Sequence, residues 1–253
     1  MSVGKFNWYQ RTLYFSLNMK YFSLTIFFLI AITNPGFTQD STYITTNPTK
    51  KNAINKYRIV LDPGHGGRDS VTRGGGLLEK NLVLEKNLVL DISLEVKSFL
   101  EKQGYEVLMT RSKDEYIPLP QRAALKGDIF ISFHANAVAD SIGPSVRSMI
   151  KGIDIYTSIE MASKDLLLKS NLLAKSFAKK LKELNGITVR GIKKKRLAVL
   201  DSNSSRAILI ELGFLSNEED LAFLRNKHNY LKIAEVVTKA IKDFRHEEAV
   251  TRD

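Results

Sequence analysis

The arrangement of apolar residues between positions 57 and 245 limits the possible folds most strongly. Short apolar runs, which are typical of buried strands, alternate there with longer segments whose apolar residues recur every three or four positions. In residues 85–102, Leu88, Ile92 and Val96 follow this spacing and would lie on one face of a helix. Strands that alternate with helices predict an α/β domain whose mostly parallel or mixed central sheet has helices on both faces.

The same pattern predicts where the elements of this single domain lie. The predicted strands cover residues 58–61, 105–109, 129–133, 153–156, 197–200 and 207–210. The predicted helices cover residues 85–102, 121–126, 159–185 (one long helix or a broken pair), 217–225 and 230–245. At 253 residues the chain is long enough for one substantial α/β domain. We therefore predict one folded domain over residues 57–246 and a C-terminal tail at 247–253.

The first 56 residues differ from the rest of the chain. Residues 21–33 form an apolar run that follows a lysine and ends before a helix-breaking Asn-Pro-Gly at 34–36. A membrane span needs about 20 residues, so this run has the layout of a secretory signal instead. We predict a signal peptide over residues 1–38, with Met19 as an alternative start and an uncleaved anchor as the alternative interpretation, and a polar linker at 39–56. Export would place the protein in the periplasm, the cell envelope or the extracellular space.

Composition excludes several kinds of chemistry. The chain has no cysteine, so disulfides, thiolate nucleophiles and cysteine-ligated zinc are excluded, and a metal would have to be held by histidines and carboxylates. The net charge of +11 suits an anionic wall polymer, a lipid surface or a nucleic acid. Export, and the lack of aromatic residues among the basic ones, argue against nucleic acid. The densest basic cluster, residues 193–196, is expected to be a solvated loop.

Two of the four histidines and one glutamate follow predicted strands. His65 lies in DPGHGG after the first strand, His134 in SFHANA after the third, and Glu211 in ILIELGF after the last. Taken singly, each residue also fits a structural role. Reacting groups gather at the carboxyl ends of strands in α/β sheets, so the three can converge and would suit a zinc ion held by two histidines and a carboxylate. His228 and His246, in the terminal helices, are predicted to be surface residues.

The motifs also occur in a characteristic order: DPGHGG after a strand, an EKN start to a helix, SFHANA, the segment at 189–193, and ILIELGFLSN. In this order they resemble the zinc-dependent N-acetylmuramoyl-L-alanine amidases of the cell wall, over about residues 57–245. The resemblance implies an α/β domain with one zinc ion at the carboxyl edge of its sheet. It implies that His65, His134 and the glutamate opening the first helix hold the zinc, and that Glu211 is catalytic.

A tandem repeat leaves the third ligand open, because EKNLVL begins at Glu79 and again at Glu85. Glu79 lies 14 residues after His65, as in the family's loop, whereas Glu85 lies 19 residues before Gly104, as in the family's helix. Six extra helical residues would displace Glu79 by about 9 Å and roughly 240°. A zinc–carboxylate bond of about 2.0–2.2 Å cannot absorb that shift, whereas a surface loop accommodates an insertion easily. The geometry favours Glu85, with Glu79 as the alternative.

The resemblance implies hydrolysis of the amide bond between N-acetylmuramic acid and L-alanine in peptidoglycan, with Glu211 taking a proton from a zinc-activated water. Arg190 and Asn136 are the candidate substrate-binding residues. The alternatives are a zinc peptidase acting within the stem peptide and a non-catalytic peptidoglycan-binding regulator. The expected role is cell-wall remodelling or daughter-cell separation.

The stretch at 138–151 bears on partners, because some members of the family carry a long helical insert there that covers the site. This chain has only a short segment at that place. We therefore expect that the site is not silenced in that way. We separately expect a monomer and keep a protein activator as a candidate partner.

Overall fold

The computed structural model describes residues 57–69, 73–74, 83–139 and 141–250. The predicted signal peptide and linker, and Glu79, lie outside these residues. The strands of the described part are β1 (Arg58–Pro63), β2 (Arg73–Gly74), β3 (Val83–Leu84), β4 (Glu106–Met109), β5 (Ile129–Asn136), β6 (Ile153–Thr157), β7 (Val189–Lys194) and β8 (Arg206–Phe214). Its helices are α1 (Glu85–Lys102), α2 (Leu119–Ala124), α3 (Pro144–Met149), α4 (Lys164–Leu181), α5 (Ala198–Asp201), α6 (Glu218–Arg225) and α7 (His228–Val250).

Six of these strands form one mixed sheet in the order β4-β1-β5-β8-β6-β7. β4, β1, β5 and β8 run parallel to one another. β6 is antiparallel to β8, and β7 is parallel to β6. β2 and β3 form a separate antiparallel pair just before α1. The carboxyl ends of β1, β5 and β8 therefore meet the starts of β6 and β7 at one edge of the sheet.

The strands bury side chains on both of their faces. Ile59 and Leu61 point into the larger core, which α1, α4 and α7 cover, whereas Val60 and Phe130 point into a smaller core on the other face. The smaller core is closed by α5, against which α2 packs. This arrangement confirms the predicted mixed sheet with helices on both faces. Among the described helices, none is both long enough and apolar enough to span a bilayer.

The predicted strand at 197–200 is wrong, because these residues enter the helical turn α5. The backbone N–H groups of Leu200 and Asp201 both donate to the carbonyl of Leu197. Val199 and Leu200 are buried in the smaller core. The helical turn therefore buries the apolar side chains that a strand would have buried. A four-residue apolar run has no period by which helix and strand can be distinguished.

Several boundaries also differ from the predictions, and one strand of the main sheet was missed. The long helix is α4 alone and begins after Ser163, whose hydroxyl caps it by accepting from the N–H of Leu166 at 3.1 Å. α7 continues to Val250, so the predicted tail at 247–253 is helical as far as the described residues extend. β7 was not predicted as a strand, because an edge strand that is only half-buried has little apolar alternation.

The tandem repeat is divided between two elements. The second copy opens α1 at Glu85, whereas the last two residues of the first copy, Val83 and Leu84, form β3. The 18-residue helix thus has the length predicted for a start at Glu85. The six extra residues precede the helix and do not bulge out of it.

Candidate metal centre

The predicted site residues come from three neighbouring strands and one helix. His65 lies two residues beyond the end of β1, His134 lies in β5, and Glu211 lies opposite His134 in the adjacent β8. Glu85 is the first residue of α1, which packs on β1 and β5. β5 and β8 extend further than predicted. His134 and Glu211 therefore lie within the last residues of these strands and not after them.

Three of these side chains form a tight cluster around the buried carboxylate of Glu85, which is 1% exposed. Its Oε1 lies 2.9 Å from Nδ1 of His134 and accepts from the N–H of Ala135 at 3.1 Å. Its Oε2 lies 3.3 Å from Nε2 of His65. The two imidazole centroids are 5.0 Å apart with nearly perpendicular planes, and one ligand atom from each of the three side chains lies within 4.8 Å of the others.

This donor set fits a zinc ion. Two imidazole nitrogens and a carboxylate oxygen form a common three-residue ligand set of catalytic zinc, and it leaves a fourth position open. Oε2 of Glu85 is buried and has no hydrogen-bond partner in the described part of the chain, since its contact with His65 lacks hydrogen-bond geometry. A metal would satisfy that oxygen. On the far side of the His65 ring, Nδ1 lies 3.1 Å from Oδ2 of Asp69, which is the outer contact that orients a ligating histidine.

The backbone between β1 and His65 is shaped to let the rings meet. A Cβ atom on Gly64 would lie 2.3 Å from Cε1 of His134, so only glycine leaves room for that ring. His65 itself has a φ of 58°, the left-handed conformation that costs a non-glycine residue energy. The DPGHGG motif is therefore needed for two reasons: it lets the loop after β1 approach His134 in β5, and it forms the tight turn at His65.

The surroundings of Glu85 and Glu211 shift the pKa values of these two carboxyl groups in opposite directions. Burial would raise the pKa of Glu85, but the imidazoles of His134 and His65 outweigh it and hold that pKa far below its usual range. Burial likewise opposes a charge on His134, yet the neighbouring Glu85 keeps its pKa above the ordinary value. The lowered pKa favours the ionised form of Glu85, which is the form in which a carboxylate binds a metal.

Glu211 has the opposite character. Burial raises its pKa to about 7; the imidazoles of His134 and His65 lower it, and the charges of Glu85 and Asp154 raise it further. Its Oε2 is buried without a hydrogen-bond partner among the described residues. A carboxyl group whose pKa lies near neutrality can both accept and donate a proton in the working pH range.

The two candidate substrate-binding residues lie beside this cluster in different ways. Arg190 is the second residue of β7, and its Nε lies 3.2 Å from the buried Asp154, the strand partner of Glu211. Lys193 donates to the same carboxylate at 2.8 Å. The prediction of a solvated loop at 193–196 is therefore wrong for its first two residues, which belong to β7. Asn136 ends β5, but its Oδ1 accepts from the N–H of Ala137 at 2.8 Å, which leaves the amide NH₂ as its donor toward a substrate.

The other two histidines lie away from the cluster, and two acids near it were not predicted from the sequence. His228 and His246 are exposed on α7, as predicted, and are not part of the cluster. Asp69 and Asp154 were missed. A lone acid within the apolar run of β6 was a usable signal for Asp154, whereas nothing in the sequence pairs Asp69 with His65.

A mixed sheet with two imidazoles and a buried carboxylate converging at its carboxyl edge is typical of metal-binding α/β enzyme domains. Comparison with known families identifies which one. The sequence profile described as N-acetylmuramoyl-L-alanine amidase matches residues 59–243, and the chain belongs to this family.

Individual relatives agree with that assignment. The chain is 32% identical over 204 residues to the probable cell wall amidase LytH of Staphylococcus epidermidis, covering 79% of this chain and 61% of that protein. It therefore spans about three-fifths of the length of that curated relative. The crystal structure of N-acetylmuramoyl-L-alanine amidase from Clostridium difficile 630 superposes with a TM-score of 0.65 at 27% identity, over 76% of this chain and 98% of that one. The CwlD amidase of Clostridioides difficile, solved in complex with the GerS lipoprotein, gives 0.60 at 26% identity, over 76% and 99%.

Proposed function

We propose that this protein hydrolyses the amide bond between N-acetylmuramic acid and L-alanine in peptidoglycan. The observation that carries the proposal is the meeting of His65, Glu85 and His134 with Glu211 at one edge of the sheet, in a member of the amidase family. Amide hydrolysis of this type needs a metal site and a proton acceptor beside it, and these four side chains supply both.

In this proposal His65, Glu85 and His134 hold one zinc ion. When bound, zinc lowers the pKa of a water molecule from 15.7 toward about 7 and polarises a carbonyl oxygen. Other residues of the chain orient the ligands. Asp69 faces Nδ1 of His65 and so directs Nε2 into the cluster. The N–H of Ala135 fixes Oε1 of Glu85, leaving Oε2 available.

Glu211 moves the proton in both halves of the reaction. As a carboxylate it takes a proton from the attacking water while the new C–O bond forms at the lactyl carbonyl carbon. It then gives that proton to the nitrogen of L-alanine as the C–N bond breaks. The products are a muramic carboxyl group and a stem peptide with a free N-terminal amine, and Glu211 returns to its starting form. No covalent bond to the protein is needed.

Arg190 and Asn136 are proposed to bind the substrate beside this centre. Arg190 is exposed, and Asp154 holds its guanidinium next to the strand position that carries Glu211. A guanidinium anchored in this way can still bind a second carboxylate on its outer side, because it has five donors. The free carboxylates of the stem peptide are the groups that suit it.

The first prediction concerns Arg190→Ala. We expect the KM for wall fragments with free stem-peptide carboxylates to rise roughly 5- to 10-fold, with a smaller change in kcat. This rise corresponds to about 1 kcal/mol, the upper end for a solvent-exposed ion pair. Lys195→Ala is the matched control, since Lys195 is exposed and lies beyond the other end of β7, roughly 16 Å along the strand. The Arg190 effect should vanish on fragments whose carboxylates have been amidated. An equal effect on both kinds of fragment would exclude a carboxylate contact.

The place of action and the partners are part of the same proposal. A predicted signal peptide, a net charge of +11 and wall-amidase relatives support an exported protein that acts on peptidoglycan in the cell envelope. Among the described residues between β5 and β6, the six-residue α3 is the only helix, which supports a site without a covering helical insert. CwlD, solved with a lipoprotein, makes a protein activator a reasonable partner to test.

The decisive experiment is mass spectrometry of the fragments that the mature protein releases from purified peptidoglycan, with zinc supplied and after zinc removal by a chelator. We expect intact stem peptides with N-terminal alanine, released only when zinc is present. Cuts within the stem peptide would replace the proposal with the zinc-peptidase alternative. No release by a folded, zinc-loaded protein, with or without a candidate activator, would favour the non-catalytic regulator.

A further inference from the structure

Two buried arginines lie behind the loop that carries His65. Arg111, which follows β4, is 2% exposed, and Arg122 in α2 is 3% exposed. Burial, together with the nearby charge of Arg122, lowers the pKa of the Arg111 guanidinium. Two like charges buried close together destabilise a fold unless their donors are fully used. Where those donors go is therefore informative.

Most of the donors go to the backbone of the loop that leads to His65. Nε and Nη2 of Arg111 donate to the carbonyls of Pro63 and Gly64 at 2.9 and 2.7 Å. Nη1 of Arg122 donates to the carbonyl of Pro63 at 2.8 Å, and its Nη2 donates to the carbonyl of His65. The two guanidinium groups thus bind the three consecutive carbonyls of residues 63–65. This stretch includes Gly64, which leaves room for the His134 ring, and His65, which has the left-handed backbone.

Arg111 also reaches the segment that carries Glu85. The Nη2 atom that binds the Gly64 carbonyl donates to the carbonyl of Lys86 as well, at 2.7 Å. A single guanidinium nitrogen therefore joins the His65 loop to the first turn of α1. Within the described residues, Arg111 has only backbone carbonyls as hydrogen-bond acceptors and no carboxylate within 4.0 Å.

Arg122 is tied to the third ligand-bearing segment through Asp62, which is 1% exposed. Oδ1 of Asp62 accepts from Nη1 of Arg122 at 2.9 Å and from the hydroxyl of Thr110 at 2.6 Å. Its Oδ2 accepts from the hydroxyl of Ser132 at 2.7 Å, two residues before His134 in β5. The network thus connects all three segments that carry the proposed ligands.

We infer that Arg111 and Arg122 are positioning residues, which set the metal affinity of the cluster by fixing the backbone from Pro63 to His65 against α1 and β5. The inference rests on the metal site proposed above. Metal–ligand bonds tolerate deviations of only about 0.2 Å, so a loop held by weaker contacts would bind zinc less tightly even in a folded protein.

The test uses Arg122→Lys and Arg111→Lys, which keep the charge but replace a planar fork of donors by a single ammonium. We expect the zinc affinity of the folded, full-length protein to fall roughly 10- to 100-fold, the range seen when an outer contact of a metal ligand is removed. Zinc affinity is measured by competition with a chelator of known affinity, with circular dichroism verifying the fold and thermal melting of the metal-free protein reporting its stability.

Arg206→Lys is the matched control. Arg206 opens β8 at the end opposite Glu211 and is bonded to the Asp128 carbonyl at 3.2 Å and to Glu248. Its replacement should lower the melting temperature and leave zinc affinity within about twofold of the unaltered protein. Thr110→Val is a milder variant for use if the arginine variants do not fold, since it removes only one donor to Asp62; a several-fold loss of zinc affinity is expected.

The inference is overturned if the Arg111, Arg122 or Thr110 variants fold, melt at lower temperature and still bind zinc as tightly as the unaltered protein. They would then stabilise the fold without positioning the ligands. If the unaltered protein and the Arg206 control also bind no zinc, the metal site proposed above is what fails.

Discussion

Replacing Glu211 by glutamine is expected to lower kcat by roughly 10²- to 10⁴-fold or more, because a glutamine amide cannot carry the proton between water and the leaving nitrogen. Zinc should stay bound, since the proposed ligands are His65, Glu85 and His134 and the substitution preserves the size of the side chain. The measurements are the rate of stem-peptide release and the zinc content of the same purified sample.

Glu218→Gln is the matched control for this prediction. Glu218 is exposed at the start of α6, seven residues further along the chain, and its replacement should change neither property. Loss of zinc from Glu211→Gln would show that Glu211 is a ligand and not the proton carrier. Full activity with bound zinc would remove it from the mechanism.

The same variant should change how the stability of the metal-free protein depends on pH. The pKa of Glu211 is raised from 4.5 to about 7 in the folded protein, so the folded state holds this proton more tightly than the unfolded one. Below about pH 4.5, Glu211 is protonated in both states and does not lower the free energy of unfolding. The stability that its proton provides is lost as the pH rises through about 7. Above that pH, Glu211→Gln should be the more stable protein, by an amount on the order of 3 kcal/mol. Urea unfolding at pH 5 and pH 8 measures this difference.

Glu85→Ala is expected to abolish zinc binding in the working range, lowering affinity by more than the roughly 10- to 100-fold seen for outer contacts, and activity with it. Glu85 carries the only buried carboxylate in contact with both imidazoles in the described part of the chain. Its removal also leaves the N–H of Ala135 without its acceptor, which should destabilise the metal-free protein by about 1–3 kcal/mol. Chelator competition and urea unfolding measure the two effects.

Glu79→Ala is the natural control, because Glu79 opens the first copy of the same hexapeptide. If Glu85 is the ligand, the Glu79 variant should bind zinc within a few-fold of the unaltered protein and remain active. The reverse outcome, with zinc lost from the Glu79 variant and kept by the Glu85 variant, would establish the alternative ligand.

Much of the fold could be predicted from local patterns. Helical spacing of Leu88, Ile92 and Val96 is a property of consecutive residues, and it correctly placed α1 from Glu85 to Lys102. The family was predicted from motifs in order, and that prediction is confirmed. Local patterns failed where they carry no period, as at residues 197–200, and where burial is slight, as in β7.

The candidate site could be predicted only in part from such local patterns. The sequence by itself determined that His65, His134 and Glu211 lie at or near the carboxyl ends of buried strands and that any metal site must be free of cysteine. It could not rank Glu79 against Glu85 by local preference, because the two copies of EKNLVL are identical; only a geometric argument about helix length separated them.

What tertiary structure alone decided is the set of contacts between segments far apart in the chain. The order β1-β5-β8, with β6 turned antiparallel, brings His134 opposite Glu211 and Asp154 beside it. The carbonyls bound by Arg111 and Arg122 lie 47 to 59 residues away along the chain, except for those close to each arginine or in α1. Such pairings depend on loop closure and on burial summed over the whole domain, so no property of the neighbouring residues reveals them.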